Sequence, residues 1–364
     1  MNLHFKRAAA AMLAAMSLLN AGAMPVSAAD GEIKNIVVIG DGISAGTGLE
    51  KQADSYAAMV GRFYHAKVTN LAQEGCTTED LLVTLDDPAV QKQLMQADMI
   101  LFSAGMNDLL DPFTEQFEAY KIELGFENIN DLYTAKRSAV NVSDDDLTNY
   151  SLVLADKLQE NEKTCEANLT AIGEKLSAYA GSAKITAVNT YNCLNTIEEY
   201  AEMSMKRKNA YKSIMNPCTW VTDTANAVYA TYADYGFTVV DAGTAFKGLA
   251  YQYTNLNTMD FHPNAAGHLY IAQTITGSDL GNLAPLPGDL TGDTSVNATD
   301  AAVLLIAAAQ VGAGDANPLT AEESLAADVN GDGAYNASDA TGILQYAAAS
   351  GAGEDVDPWS YFTK

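Results

Sequence analysis

Two sets of side chains in this sequence have types and spacings that can do chemistry. One is Asp260-Phe261-His262, in which a carboxylate two residues before an imidazole can hold the ring in one tautomer. The far ring nitrogen is then left to act as a general base. The other is a repeat of oxygen-bearing residues near the C-terminus. Asp289, Thr291, Asp293, Asn297 and Asp300 occupy positions 1, 3, 5, 9 and 12 of a twelve-residue loop. Asp328, Asn330, Asp332, Asn336 and Asp339 occupy the same positions of a second loop, offset by 39 residues (289 to 328). With a backbone carbonyl at position 7, each loop presents the six to eight oxygens that calcium prefers. The loops are unequal. Position 6 needs a sharp turn, which Gly333 accommodates, whereas Thr294 is β-branched and strained in a left-handed backbone. Thr291 also stands where Asn or Asp is usual, so the first loop is expected to bind calcium more weakly.

The elements that must position these groups follow from periodicity. Short β-branched runs at 35–39, 67–71, 99–102, 184–188 and 237–240 alternate with helical stretches. The clearest helix is expected over 152–180, where Leu154, Leu158, Cys165, Leu169, Ile172 and Leu176 recur at helical spacing before Gly181. Such alternation predicts an α/β unit with a parallel sheet and helices on both faces, its ligand site at the carboxyl ends of the strands. Residues 111–150 break the rhythm and read as an acidic insertion after the third strand. A Gly- and Pro-containing stretch at 277–287 reads as a linker. Each oxygen loop is followed by a helical segment, 301–309 and 340–348, and residues 351–364 read as an acidic tail.

Charge narrows the partners. Against 20 Lys and Arg the chain has 46 Asp and Glu, a net charge of −26, and between Lys247 and Lys364 there is no Lys or Arg. A polyanion of this kind is repelled by nucleic acid and by anionic membrane surfaces. Lys6 and Arg7, an apolar run over 8–24 and small residues at 26–29 read as an export signal covering residues 1–29. No other stretch approaches spanning length, so a secreted, extracellular protein without membrane insertion is expected. Four dispersed cysteines, without a CxxC pair or a Cys/His cluster, argue against a zinc site. Cys193 and Cys218 are a possible disulfide pair, and four buried thiols are the alternative.

The duplicated loops, with Asp at position 12 and one helix each, resemble a type I dockerin over 288–350. That resemblance implies a small all-α, calcium-loaded module whose partner is a cohesin on a scaffoldin. Positions 10 and 11, which read the cohesin in that family, are Ala298-Thr299 and Ala337-Ser338. Their near-identity leaves either docking orientation open, and the Lys or Arg that many dockerins carry later in the helix is absent.

Residues 30–276 resemble the SGNH, or GDSL-like, hydrolases. Four blocks carry the likeness: 39–46 (Ile-Gly-Asp-Gly-Ile-Ser-Ala-Gly), 70–78 ending in Gly75-Cys-Thr-Thr, 104–108 (Ala-Gly-Met-Asn-Asp) and 260–268. The resemblance implies a flavodoxin-like three-layer sandwich and acyl transfer without a catalytic cofactor. It implies His262 as the general base with Asp260 holding its imidazole, and the Gly75 N–H and Asn107 amide as oxyanion donors. The family nucleophile is the Ser of Gly-Asp-Ser, and here that position is Gly42. Three routes are then open: Ser44 as nucleophile on a reshaped loop, water activated by His262, or a domain that binds without hydrolysing. Cys76 has nothing beside it to lower its pKa. The company dockerins keep implies an esterase that removes acyl groups, acetyl above all, from plant cell-wall polysaccharide. The alternative is an inactive carbohydrate-binding or spacer subunit of the same complex.

Overall fold

The computed structural model describes residues 32–109, 111–112, 115, 144–192, 205–256 and 260–362. The export signal, most of the 111–150 insertion and Cys193 lie outside the described residues. Five parallel strands form one sheet: β1 (Asn35–Gly40), β2 (Lys67–Asn70), β3 (Met99–Ser103), β4 (Lys184–Val188) and β5 (Thr238–Val240). Their order is β2-β1-β3-β4-β5, so the chain reverses direction across the sheet between β1 and β3. Ile36, Val38, Ile39 and all of β3 are buried, as expected for strands covered on both faces.

Two apolar layers cover the sheet. On one face Ile36, Val38 and Leu101 pack with Tyr56 and Val60 of α2 (Tyr56–Tyr64) and Ile271 of the last hydrolase helix. On the other, Val37, Ile39 and Ile100 pack with the long helix Asp144–Tyr179 through Cys165, Leu169, Ile172 and Leu176. That helix begins eight residues earlier than periodicity indicates, inside the segment read as insertion.

The C-terminal unit has its own core. Leu304 and Ile343 are fully buried at its centre, with Leu290, Val296, Val329 and Tyr346 around them. Its two principal helices run Ala298–Gly312 and Ala337–Gly351, each starting at loop position 10 because Asn297 and Asn336 cap them. Asp300 and Asp339 close capping boxes there. A further helix at Ala321–Ala327 was not expected, although Thr320 and Glu323 spell a capping box in the sequence. The stretch read as an acidic tail is not a free tail. Pro358–Phe362 is helical, and Tyr361 and Phe362 pack on Tyr346 at ring separations of 5.2 and 5.4 Å. Four aromatic or apolar side chains among its acids, Val356, Trp359, Tyr361 and Phe362, supply the reason. Leu280 and Leu283 of the linker likewise pack onto the hydrolase core.

The two units touch. The Ala53 N–H donates to the Gly292 carbonyl of the first oxygen loop at 3.0 Å. Arg62 pairs with Glu322 at 3.5 Å and Lys51 with Glu323 at 3.7 Å. Lys67 pairs with Asp355, and His65 stacks on Trp359 with ring centres 4.4 Å apart.

Candidate active site and calcium loops

The first block turns tightly from β1 into a helical turn, α1 (Gly42–Ala45). Gly40 has φ +112, and a Cβ there would lie 2.0 Å from the Ser103 carbonyl, so only glycine lets β1 and β3 approach at this level. Asp41 caps α1 by accepting the Ile43 N–H at 3.1 Å, and it also accepts the Ser103 hydroxyl. Burial pushes its carboxyl upward, outweighing those hydrogen bonds.

Ser44 points away from the chemistry. It is fully buried, with Oγ 2.6 Å from the Tyr56 hydroxyl and 2.7 Å from the Ser103 hydroxyl. The reading of Ser44 as nucleophile is therefore corrected. Residues two apart on a helical turn are separated by about 200° at 3.6 residues per turn, so when position 42 faces the cleft position 44 faces the sheet. The flexibility of Gly42 does not alter this, because α1 is a regular, capped turn.

Position 42 is where the imidazole arrives. A Cβ on Gly42 would lie 2.3 Å from His262 Nε2 and 2.8 Å from its Cδ2. On the other side of the ring, His262 Nδ1 is 2.6 Å from Asp260 Oδ1, which also accepts the His262 backbone N–H at 3.0 Å. A carboxylate on Nδ1 fixes the proton there and turns the Nε2 lone pair toward Gly42. Burial raises the Asp260 carboxyl, but its hydrogen bonds from His262 and Asn255 prevail and hold it below the usual carboxylate range. Asn255 Nδ2 reaches Asp260 Oδ2 at 3.2 Å and the Gly48 carbonyl at 2.9 Å. Gly48 has φ +84, and a Cβ there would come within 2.4 Å of Asp260 Oδ2. Neither Asn255 nor Gly48 was singled out from the sequence, since they belong to no motif.

Asn107 lines the same cleft as Gly42 and His262, a space of about 280 Å³. One N–H of its amide donates to the Cys76 carbonyl at 2.9 Å, leaving the second for an oxyanion. Asp108 ties the third block to the second by accepting the Thr78 N–H at 2.9 Å. Gly75, expected as the second oxyanion donor, sits exposed with φ +75 on the adjoining loop and does not line the cleft. His268 stands outside the chemistry. It is buried against Tyr56, whose N–H it accepts at Nδ1. Burial, with His262 nearby, pushes it down to about 3. Burial pushes the Cys76 thiol up to about 12, and neighbouring Asp41, Asp80 and Asp108 add to the rise. Among the described residues Cys76, Cys165 and Cys218 are free thiols, and Cys193, the possible partner of Cys218, lies outside them.

Residues 38–269 match the model of the GDSL-like lipase/acylhydrolase family, and residues 287–346 match the type I dockerin domain. The chain belongs to the GDSL-like family and carries a C-terminal dockerin. Among solved structures it is similar to a lipase from a goat rumen metagenome, at 16% identity over 69% of this chain and 99% of that one, TM-score 0.43. A phospholipase A1 from Streptomyces albidoflavus is similar at 16% identity over 68% and 99%, TM-score 0.47. An acetyl xylan esterase from Geobacillus stearothermophilus is similar at 16% over 69% and 96%, TM-score 0.39. No curated protein matches.

The GDSL-like domain thus gathers His262, Asp260 and the Asn107 amide around a position that has no side chain. In the dockerin, Thr294 is left-handed at φ 67, where its counterpart Gly333 has φ +86. Among the described residues no group of three or more His, Cys, Asp or Glu is disposed to hold a metal by itself. The loops instead mix carboxylate, amide, hydroxyl and carbonyl oxygens. Asp300 and Asp339 are fully buried. Asp289 is pushed up to about 6, first by burial and then by Asp300 and Asp293. Its hydrogen bonds from Gly292 and Thr294 oppose that rise. Carboxylates crowded and buried in this way fit a hard cation, which would relieve both costs.

Proposed function

We propose that the chain is a scaffold-anchored acyl-ester hydrolase in which His262 activates water, acting on short acyl groups of plant cell-wall polysaccharide. The observation that carries this reading is the Asp260–His262 pair aimed at Gly42 with the Asn107 amide in the same cleft. His262 Nε2 takes a proton from water, and the water oxygen attacks the ester carbonyl. The carbonyl π pair becomes an oxyanion facing the free Asn107 N–H. Collapse breaks the bond to the sugar oxygen, which recovers the proton from His262, and a carboxylic acid leaves. Serine proteases stripped of their triad keep about 10³–10⁴-fold catalysis over water from oxyanion and binding terms, and a rate of that order is expected here.

Several features support a small, neutral substrate. The cleft is of a size for a short acyl chain, and Asp41, Asp111 and Asp260 around it disfavour anionic esters. Acetyl groups on polysaccharide are consistent with a dockerin, which implies a cohesin partner and an extracellular, cellulosome-type setting. Calcium would be held by Asp328, Asn330, Asp332, Asn336 and Asp339 in the second loop. Asp289, Thr291, Asp293, Asn297 and Asp300 would hold it more weakly in the first. Bound calcium would neutralise the carboxylates that start and end each loop, of which Asp289, Asp300 and Asp339 are buried.

A second reading is a binding domain without turnover. It is favoured by the approach of His262 Nε2 into the space a nucleophile's side chain would fill. Turnover of p-nitrophenyl acetate and acetylated xylan by the wild type and His262→Ala separates the two. Hydrolysis by the wild type that falls to background in His262→Ala supports the esterase. Equal background rates in both leave the binding domain. For the anchor, calcium chelation should abolish cohesin binding, and binding that survives chelation would contradict a metal-organised module.

A further inference from the structure

The two halves of the dockerin are near copies, so by themselves they offer a cohesin two equivalent orientations. The rest of the chain makes them unequal. Thr294, Ser295, Val296 and Asn297 line a crevice of about 610 Å³ together with Tyr346 and Ser350 and the hydrolase residues Arg62 and Lys67. The start of the first long helix (Ala298–Gly312) therefore lies beside the end of the second (Ala337–Gly351), and this end faces the hydrolase. The Ala53–Gly292 hydrogen bond and the Arg62–Glu322 and Lys67–Asp355 pairs fasten it there. Among the described residues, no hydrogen bond, ion pair or ring contact joins 330–345 to the hydrolase.

On the two long helices, two exposed apolar side chains follow the same asymmetry, whereas Leu325, 69% exposed on the short helix between them, lies on the hydrolase side. Ile306 is 61% exposed and Val311 43%, both in the second half of the first helix, beside the start of the second. Their counterparts across the 39-residue repeat are Gln345 and Ser350, at the hydrolase end. Leu305 and Leu344, by contrast, are counterparts of each other, 42% and 44% exposed, and favour neither end. The open end thus presents two exposed apolar side chains that the equivalent positions at the hydrolase end lack.

Resting on the cohesin-anchoring reading above, we infer that the hydrolase contact selects one of the two orientations. The cohesin is received over Ala337-Ser338 with Ile306 and Val311, and not over Ala298-Thr299. A stable interface covers about 800 Å² per partner, roughly 30 Å across, whereas a fifteen-residue helix is only about 22 Å long. A footprint centred on Ala298-Thr299 would overrun the first loop into Lys51 and Ala53. Centred on Ala337-Ser338, it overruns the second loop into solvent.

The test uses the full chain with calcium and a panel of type I cohesin modules, with Kd read by calorimetry. Ala337→Arg with Ser338→Arg is expected to weaken binding at least 100-fold, and Ala298→Arg with Thr299→Arg less than threefold. Unchanged calcium-dependent melting of both variants shows that neither has lost its fold. Adding Arg62→Glu and Lys67→Glu, which repel Glu322 and Asp355, should shrink the first loss to about tenfold by opening the second orientation. Equal losses from the two pairs, or a larger loss from the 298–299 pair, overturn the inference while leaving the anchor intact. A wild type that binds no cohesin of the panel overturns the anchoring reading and this inference with it.

Discussion

The hydrolase cleft and the first calcium loop each depart from their family pattern at one position, and in opposite directions. At 42 a side chain is missing where chemistry calls for one, and at 294 a side chain is present where the backbone favours none. The cleft stays ordered around it: α1 is capped, the Asp260–His262 pair is formed, and the imidazole occupies the space. The loop keeps its shape by holding Thr294 left-handed, at a cost of order 1–3 kcal/mol for a non-glycine residue. A lost functional group thus leaves the scaffold intact, whereas a gained side chain is borne by the fold.

Four experiments would sharpen or break that contrast. The largest effect is expected at His262. If it is the base, His262→Ala should lower kcat/KM for p-nitrophenyl acetate about 10²–10⁴-fold with little change in melting temperature. A smaller drop would place the activity elsewhere. Acid should next separate the two units. His268 lies near 3 in the fold and about 6.5 when unfolded, so between those values the unfolded chain binds more protons. Stability of the hydrolase unit should then fall as pH drops below about 6.5, by about 1.4 kcal/mol per pH unit, and the loss should end near pH 3. Urea midpoints at pH 7.5, 6 and 5 check this, and a flatter profile in His268→Gln would assign the slope.

Ser44→Ala is expected to cost about 1–3 kcal/mol by leaving the Tyr56 and Ser103 hydroxyls short of a partner. Its effect on kcat should stay within threefold, and loss of all activity without loss of stability would restore Ser44 as nucleophile. Smallest is Thr294→Gly, expected to stabilise the calcium-free dockerin by about 1 kcal/mol and to tighten the first calcium site about fivefold. Isothermal titration against the wild type measures both sites, and an unchanged first site would mean that Thr291 sets its weakness.

Much of this architecture was legible from the residues. All five strands were readable because their apolar and β-branched runs are short and sharply bounded, even where, as in Lys67–Asn70, the strand is not buried. The Asp260–His262 pair was readable because its geometry is local, with two residues of spacing deciding it. The direction of Ser44 was also local in principle, but the resemblance to the family drew attention to residue type and away from the turn's 100° step. Asn255 and Gly48 were not legible, since their roles exist only where distant segments meet around Asp260. Nor was the packing of the dockerin on the hydrolase. It depends on pairs such as Arg62 with Glu322 and Lys67 with Asp355, 260 and 288 residues apart.

That packing gives the molecule an optical reporter. The chain has two tryptophans, and they sit in opposite surroundings: Trp220 is 44% exposed, while Trp359 is 9% exposed and stacked on His65 across the contact between the units. Separation of the dockerin from the hydrolase would move one indole from ring stacking into water and leave the other untouched. With Trp220→Phe as background, the emission of Trp359 follows the hinge of the molecule without any attached dye.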